Sequence, residues 1–337
     1  MLKMSSRTPT PCAVFIMVMY GAVMATGARA QMGDAALTQR YPSKPVRVIV
    51  PYAPGGSSDI IARLFGQRLS ETLGQTFVID NRPGAGGVIG TSLLAKSIPD
   101  GYTLILQDMP HTINPAVYGK VPYDPVRDFT PITLVARAPQ WLFVFPGVAA
   151  KSLSALVILA KSQPGMLKIG SAGNGSGTHL MAELLMRNAG INLTHVPYKG
   201  AGPAVTATVG GEMNAVFTSM PAAVSFVQTG RLRPVGVTTT KRQPSHPEVP
   251  TFEESGVPNM VIHHWFGVLA PAGLPKSTLS TLHDEFAGAV NQSSVVERYK
   301  SLILEPATNT PAEFRALIES DLARWSKVVK DAGIKAE

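Results

Sequence analysis

Cysteine is almost absent from these 337 residues; Cys12 is the single one. It falls in a stretch that reads as a secretory leader. Lys3 and Arg7 give a positive start, Ala13 to Met24 is apolar, and Ala28-Arg29-Ala30 offers small residues at both positions a signal peptidase reads. The apolar run is shorter than the ~18–20 residues a membrane span needs, and Cys12 precedes that run where a lipoprotein cysteine would follow it. Cleavage after Ala30 is therefore expected, with export and a mature chain that holds no cysteine. That excludes disulfides, thiolate metal sites and cysteine nucleophiles. The core must be built by ordinary apolar burial, for which this length is ample.

Clustered charge is missing too. Lys3, Arg7 and Arg29 leave with the leader, so the formal net charge falls by three from +8 to +5. The remaining basic residues are scattered, with no cluster longer than Lys241-Arg242, which argues against nucleic-acid binding. A mildly positive surface fits an acidic small molecule without deciding for one.

Catalytic motifs are equally scarce. Neither glycine-rich turn carries the Gly-Lys-Ser/Thr of a phosphate-binding loop. A nucleophile elbow fails at its first position in Ile169-Gly170-Ser171-Ala172-Gly173. Ser171 or Ser176 with His179 could form a dyad, although such residues more often cap a helix. The histidines, His263-His264 included, show no metal-ligand spacing. Gly84-Ala85-Gly86-Gly87-Val88-Ile89-Gly90 resembles a dinucleotide fingerprint, but its third glycine is out of register and no acid is expected at the end of the next strand. No cofactor, no metal and no repeat is expected.

What the chain does have is VRVIVPYAPGGSSD, Val46 to Asp59. Its β-branched run reads as a buried strand, Pro51 and Pro54 stop it, and Gly55-Gly56 free the backbone before an apolar helix. Ser57, Ser58 and Asp59 are plausible N-caps. Such a turn presents unpaired N–H groups and the positive end of a helix dipole, which suits an anion, a carboxylate as well as a phosphate. The plainer reading is a well-capped strand-to-helix turn.

Strand–helix alternation continues through Thr76–Asp80, Val88–Lys96 and Tyr102–Gln107, which argues for a parallel sheet covered by helices. Ile132–Ala136 and Trp141–Phe145 read as two strands, parted by a domain crossing at Arg137-Ala138-Pro139-Gln140. A second α/β series follows: a helix over Leu153–Lys161, a strand over Leu167–Gly170, a helix over Thr178–Asn188, a strand over Thr194–Pro197, a helix over Pro203–Val209, a strand over Met213–Phe217 and a helix over Pro221–Thr229. Leu232–Thr238 is a possible return to the first domain. Trp265–Ala270 is strand-like, and Leu279–Val290 and Pro311–Lys330 are helical, the last with an apolar face of Phe314, Leu317, Ile318, Leu322, Trp325 and Val329. The spacing gives a split first domain (31–137 and 239–337) and an inserted second (138–238). Within the second, Ser171-Ala172-Gly173-Asn174-Gly175-Ser176-Gly177-Thr178 repeats the strand, glycine turn and capped helix start. Two anion-friendly helix starts, one per domain, would face a cleft.

These segments identify a family. YPSKPVRVIVPYAPGGSSDIIAR, DNRPGAGGVIGT, PDGYTLIL, INPAVYGKVPYDPVRDFTPIT, IGSAGNGSGTHL, HVPYKGAGPAV, TKRQPSHPEVPTFEESGV and WFGVLAPAGLP span nearly all of the mature chain. They resemble the Bug-type (TctC-like) periplasmic solute-binding proteins of tripartite tricarboxylate transporters. The resemblance implies a bilobed α/β periplasmic binding protein of the type II, Venus-flytrap kind, two domains joined by a two-crossing hinge. It implies a non-enzymatic, monomeric receptor for a small carboxylate, handed on to a membrane permease.

It also implies two loops acting as a pincer, Tyr52–Asp59 (with Ala53 and Asp59 at its flanks) and Ser171–Thr178 (with Asn174 at its tip). N–H groups at Gly55, Gly56, Ser57, Ala172 and Gly173 would take carboxylate oxygens, helped by the hydroxyls of Ser57, Ser58, Ser176 and Thr178. Tyr198 could line the cleft. Two departures from the family pattern bear on the ligand. Phe217-Thr218-Ser219-Met220-Pro221 has Thr218 where many relatives have an acid that could pair with an ammonium, so a plain acid is favoured over an amino acid, with Met220 beside it. Gln107-Asp108 replaces a small pair, and Asp108 in the cleft would repel a second carboxylate unless protonated or bridged. The rival readings are an exported serine hydrolase and a ligand sensor that signals to a partner.

Overall fold

Val46, Val48, Ile49 and Val50 lose nearly all contact with water in β1 (Val46–Val50), the strand on which the first half of the molecule is built. The computed structural model describes residues 41–334; the expected leader, its cleavage site and Cys12 lie outside them. After β1 come α1 (Ser57–Leu73), ended by Gly74 in the left-handed conformation, and β2 (Phe77–Asn81). A 3-10 turn over Ala85–Gly87 leads into α2 (Val88–Ala95), then β3 (Thr103–Asp108) and α3 (Pro110–Tyr118), a helix the sequence reading did not anticipate.

The long strand β4 (Phe129–Val144) decides the architecture. Two strands parted by a crossing were expected here; the chain instead passes between halves inside one strand. Its Phe129–Pro139 part pairs antiparallel with β9 (His263–Pro271), and Gln140–Val144 pairs with β7 (Ala215–Ser219). Pro139 is tolerated because it lies opposite His263, the first residue of β9, where the ladder ends and a missing N–H costs little.

The remaining elements are α4 (Leu153–Ser162), β5 (Lys168–Ser171), α5 (Gly177–Ala189), β6 (Thr194–Pro197), α6 (Ala201–Val209), α7 (Val224–Gln228) and β8 (Arg233–Val237), then α8 (Lys276–Val290), α9 (Ser293–Leu302), β10 (Glu305–Pro306) and α10 (Pro311–Ala332). The sheet order is β2-β1-β3-β9-β4-β7-β5-β6, with β8 and β10 also on β4. On one side β1 is parallel to β2 and β3; on the other β5 is parallel to β6 and β7.

Leu232–Thr238 does not return to the first half. Its residues form β8, antiparallel to Trp141–Val144, because Val235 and Val237 find their apolar cover there. The chain leaves at Thr238, whose N–H donates to Gln140 O (2.9 Å) and whose hydroxyl donates to Ile262 O (3.0 Å).

The expected apolar face of α10 is largely in the core: Phe314, Ile318, Trp325 and Val329 are buried, each contributing ~1.5–3 kcal/mol by area. A capping box, Thr310 with Glu313, starts that helix. Trp141, Trp265 and Trp325 are core residues, as their apolar surroundings in the sequence suggested. This scaffold sets the carboxyl ends of β1, β3, β5 and β7 at one crevice, the place where open α/β sheets bind ligands.

Candidate functional site

Segments from both halves meet at a half-open cavity, Pro110 and Ala201 among its lining. The loop after β1 supplies Tyr52, Gly56, Ser57 and Ser58; β3 supplies Asp108; the loop after β5 supplies Ala172, Ser176, Gly177 and Thr178. The end of β7 gives Thr218 and Ser219, β4 gives Gln140, and the start of β9 gives His264 and Phe266. The centres of water-sized spheres have about 40 Å³ inside it. At roughly 10–15 Å³ per water this is room for a few waters or one small molecule.

The first helix start is open. Gly56 is the N-cap of α1, in extended conformation, and no side chain accepts a hydrogen bond from the first turn. Asp59 turns back instead, taking the Gly55 N–H at 3.0 Å together with Arg63 and Asn81. Burial pushes Asp59 up, but the Arg63 guanidinium, the Gly55 N–H and the Asn81 amide outweigh it and hold its carboxyl below the usual range. Ser57 accepts from Ser219 Oγ at 2.7 Å, a bond between the halves, and Ser58 donates to Asp108 at 3.2 Å.

The second helix start is closed on itself. Ser176 Oγ caps α5 by accepting the His179 N–H at 3.2 Å. The Ala172 N–H donates to Thr178 Oγ1 (2.8 Å), Gly173 N–H to Ser171 Oγ (3.1 Å), and Gly175 N–H to His179 Nδ1 (3.2 Å). Of the five N–H groups expected to hold a ligand, those of Gly55, Ala172 and Gly173 thus have partners inside their own loops.

The two halves meet backbone to backbone beside the cavity. The Ala53 N–H donates to Lys199 O at 2.9 Å, and Tyr118 Oη to Asn174 O at 2.7 Å. Gly86 (φ +57°) approaches so closely that a Cβ there would stand 2.3 Å from Asn174 O; one on Gly202 would stand 2.5 Å from Pro54 O. The glycine run that resembles a dinucleotide fingerprint is this meeting point. Asp108 does end β3, one residue beyond the expected strand and about where such a fingerprint wants an acid. Gly86 is nevertheless packed on protein backbone, with no space for a pyrophosphate.

Asp108 is buried and accepts on both oxygens: from Tyr52 Oη at 2.9 Å on one, from Ser58 Oγ and His264 Nε2 (3.4 Å) on the other. Burial, then the Asp108 charge, push the Tyr52 phenol well above its usual range, so it stays a neutral donor.

Several expected site residues stand off the cavity wall. Ala53, Gly55 and Asp59 shape the first loop, while Ser171, Gly173 and Asn174 shape the second. Gln107 donates to Thr91 Oγ1 at 2.8 Å, Tyr198 lines an outer groove, and Met220 is in the core of the second half. The wall also holds residues the sequence reading did not select. Ser219 adjoins Thr218 and could have been taken with it, and Phe266 was read only as part of a strand. Gln140 and His264 carry no local signal. The Ser171 hydroxyl pairs with His195 Nε2 (2.6 Å) rather than His179, and Ser176 is the cap, so neither serine forms the dyad with His179 considered above. His195 stacks on His179 with centroids 4.3 Å apart. Burial, then the adjacent His179, push it down to about 4.

A sequence profile of the tripartite tricarboxylate transporter family receptors matches residues 61–334. Among solved structures, a protein of R. palustris determined with adipate is similar at TM-score 0.84 and 37% identity, over 88% of this chain and 99% of that one. The periplasmic binding protein BugD is similar at TM-score 0.85 and 30% identity, over 88% of this chain and 100% of BugD. MatC from Rhodopseudomonas palustris, determined with bound malate, is similar at TM-score 0.80 and 32% identity, over 86% of this chain and 100% of MatC. The bilobed α/β binding-protein fold expected from the sequence is the fold of this chain.

Proposed function

The chain belongs to the tripartite tricarboxylate transporter family of receptors, and from that premise we propose that it captures a small carboxylate between its halves and delivers it to a membrane permease. The observation that carries this reading is the start of α1. Gly56, Ser57 and Ser58 line the cavity and no side chain caps that helix, so its N–H groups and dipole meet an anion there. Thr178 and Ser57 hydroxyls complete the first carboxylate site, and the second loop serves as a rigid wall more than as a donor array.

The cavity sets the size: a short-chain acid fits, and a bulkier one requires the halves to part. Adipate and malate, held by two similar proteins, are acids of this kind. Thr218 offers no charge to a ligand ammonium, which favours a plain acid over an amino acid. The halves, 31–137 with 239–337 and 138–238, close about the Gln140–Thr238 crossing, and the closed form is what the permease recognises. The protein works as an exported monomer.

Thermal unfolding of residues 31–337 against mono-, di- and tricarboxylates, aromatic acids and amino acids tests the reading. An acid at a hundred times its dissociation constant adds ~2.7 kcal/mol, a rise of several degrees. A flat panel after removal of co-purified ligand would sink the carboxylate assignment, and a rise with amino acids alone would sink the inference from Thr218. Growth of a deletion strain on the acid separates transport from signalling.

A further inference from the structure

No lysine or arginine lines the cavity among the described residues. Its wall does hold one acid, Asp108, and one group able to carry positive charge, His264. A carboxylate that enters therefore brings a second negative charge beside the first with no permanent cation to offset it. This is costly beside a carboxylate as buried as Asp108.

The geometry of His264 answers that problem. An ionised carboxylate can only accept, so with Tyr52 and Ser58 donating to Asp108, the ring nitrogen facing it, Nε2 at 3.4 Å, carries a hydrogen. The other nitrogen, Nδ1, is buried and has no hydrogen-bond partner among the described residues. It stands 3.5 Å from where a Cβ on Gly177 would be, so it lies against the start of α5 at a residue that itself lines the cavity. Phe266 packs on the ring at 4.9 Å and fixes its plane.

We propose that His264 is the ligand's counter-charge: Asp108 holds Nε2–H, Nδ1 takes a proton from solvent and donates it to a ligand carboxylate oxygen, and the acid and one proton are bound together. Resting on the carboxylate reading above, this gives Asp108 its part, to orient and charge the imidazole rather than to touch the ligand. The surrounding titratable groups leave that task to His264. Tyr52 is held neutral. His111, on α3, donates from Nε2 to Pro125 O and is pushed down to about 4 by burial, so it stays uncharged near neutrality. His179 on α5 faces Glu183 and the Gly175 N–H, His263 is exposed, and β4 presents Ala138 and Gln140.

Isothermal calorimetry with adipate and with malate, at several pH values between 6 and 9 and in phosphate and Tris buffers, reads the proton directly. The expected result is uptake approaching one proton per acid bound at the alkaline end, with affinity falling there by about tenfold per pH unit. His264→Gln should weaken binding on the order of 10- to 100-fold and remove both the proton uptake and the pH dependence. Asp108→Asn, which keeps the shape but not the charge, should reduce proton uptake even if His264→Gln proves unstable.

Binding of either acid without proton uptake at any pH, at undiminished affinity in His264→Gln, would overturn the inference and leave the function standing. A ligand bearing a hydroxyl or ammonium that needs His264 but no proton would also overturn it, since the ring would then be a neutral acceptor. Failure of every acid to bind would overturn the function and this inference with it.

Discussion

The two glycine turns look alike in sequence and differ in chemistry. At the start of α1, a glycine is the cap and no side chain answers the first-turn N–H groups. At the start of α5, Ser176 is the cap, and Ser171, Thr178 and His179 take up the loop's own N–H groups. Orphan N–H groups at a helix start are met by side chains, by water or by a ligand, and of the two starts only α5 has the first of these on hand. The resemblance of motif therefore conceals a difference: one helix start is left open and the other is closed by its own side chains.

The strongest way to break this arrangement is to keep the jaws apart. Gly86→Ala places a methyl against Asn174 O at a position whose φ is already +57°. We expect a loss of affinity of more than about 100-fold for the acid found in the thermal panel. The unliganded melting temperature should change far less, because Gly86 lies between the halves and not within a core. Titration calorimetry beside a thermal melt distinguishes the two effects.

Ser57→Pro isolates the open helix start. Proline is well accepted at the first helical position and Gly56 is extended before it, so α1 should survive. An N–H, a hydroxyl and the bond to Ser219 go, and affinity should fall on the order of 10- to 100-fold with stability changed by about 1 kcal/mol or less. Unchanged affinity would mean that the open N–H groups are not where the acid sits.

Acid sharpens the contrast. His195 supports Ser171 behind the second loop and is pushed down to about 4, from ~6.5 unfolded. Between these values the unfolded chain binds the extra proton, so stability falls as pH drops from about 6.5 to 4. Since His195 is partly exposed, its share should be discounted to about 1 kcal/mol. Asp59, in the first loop, is held low and yields only below the usual carboxylate range. His111, fully buried, adds its own loss in the same window as His195. His195→Gln and His111→Gln should each flatten part of the melting curve's pH slope, and a slope unaltered in both would refute this assignment.

The smallest effect is expected from Ser176→Ala. Losing the cap should cost about 1 kcal/mol, roughly 2 °C in melting temperature, while affinity stays within a few-fold. A large loss of affinity would mean that Ser176 is part of the binding site rather than a cap alone.

How much of this was legible in the chain follows from distance along it. The strand–turn–helix units at Val46–Leu73 and Lys168–Ala189 are local, built from β-branched runs and glycine turns, and were readable. β4 was not: Pro139 looks like a break unless it is known to end a ladder with a strand that starts at His263. α3 hid behind Pro110 and Pro115, and its first-turn proline is a start signal only in hindsight. His264 meets Asp108 across 156 residues, a pairing no spacing rule covers. The occupancy of N–H groups in the second loop depends on which way Ser171 and Thr178 turn, and composition does not report it.

The shared strand has a mechanical consequence. Two bodies on a flexible tether must find each other each time they close, with an entropy cost that grows with tether length. Here the Phe129–Val144 strand is common to both halves, and the Thr238 bonds to Gln140 and Ile262 lie alongside it. There is no slack length to reel in. If the halves close as proposed, the joint is expected to act as a flexure rather than a chain link, twisting about one line with little freedom in any other direction. Each closing stroke should then return Gly86 to Asn174 along the same arc, and the alignment of the two jaws is settled once, when the protein folds.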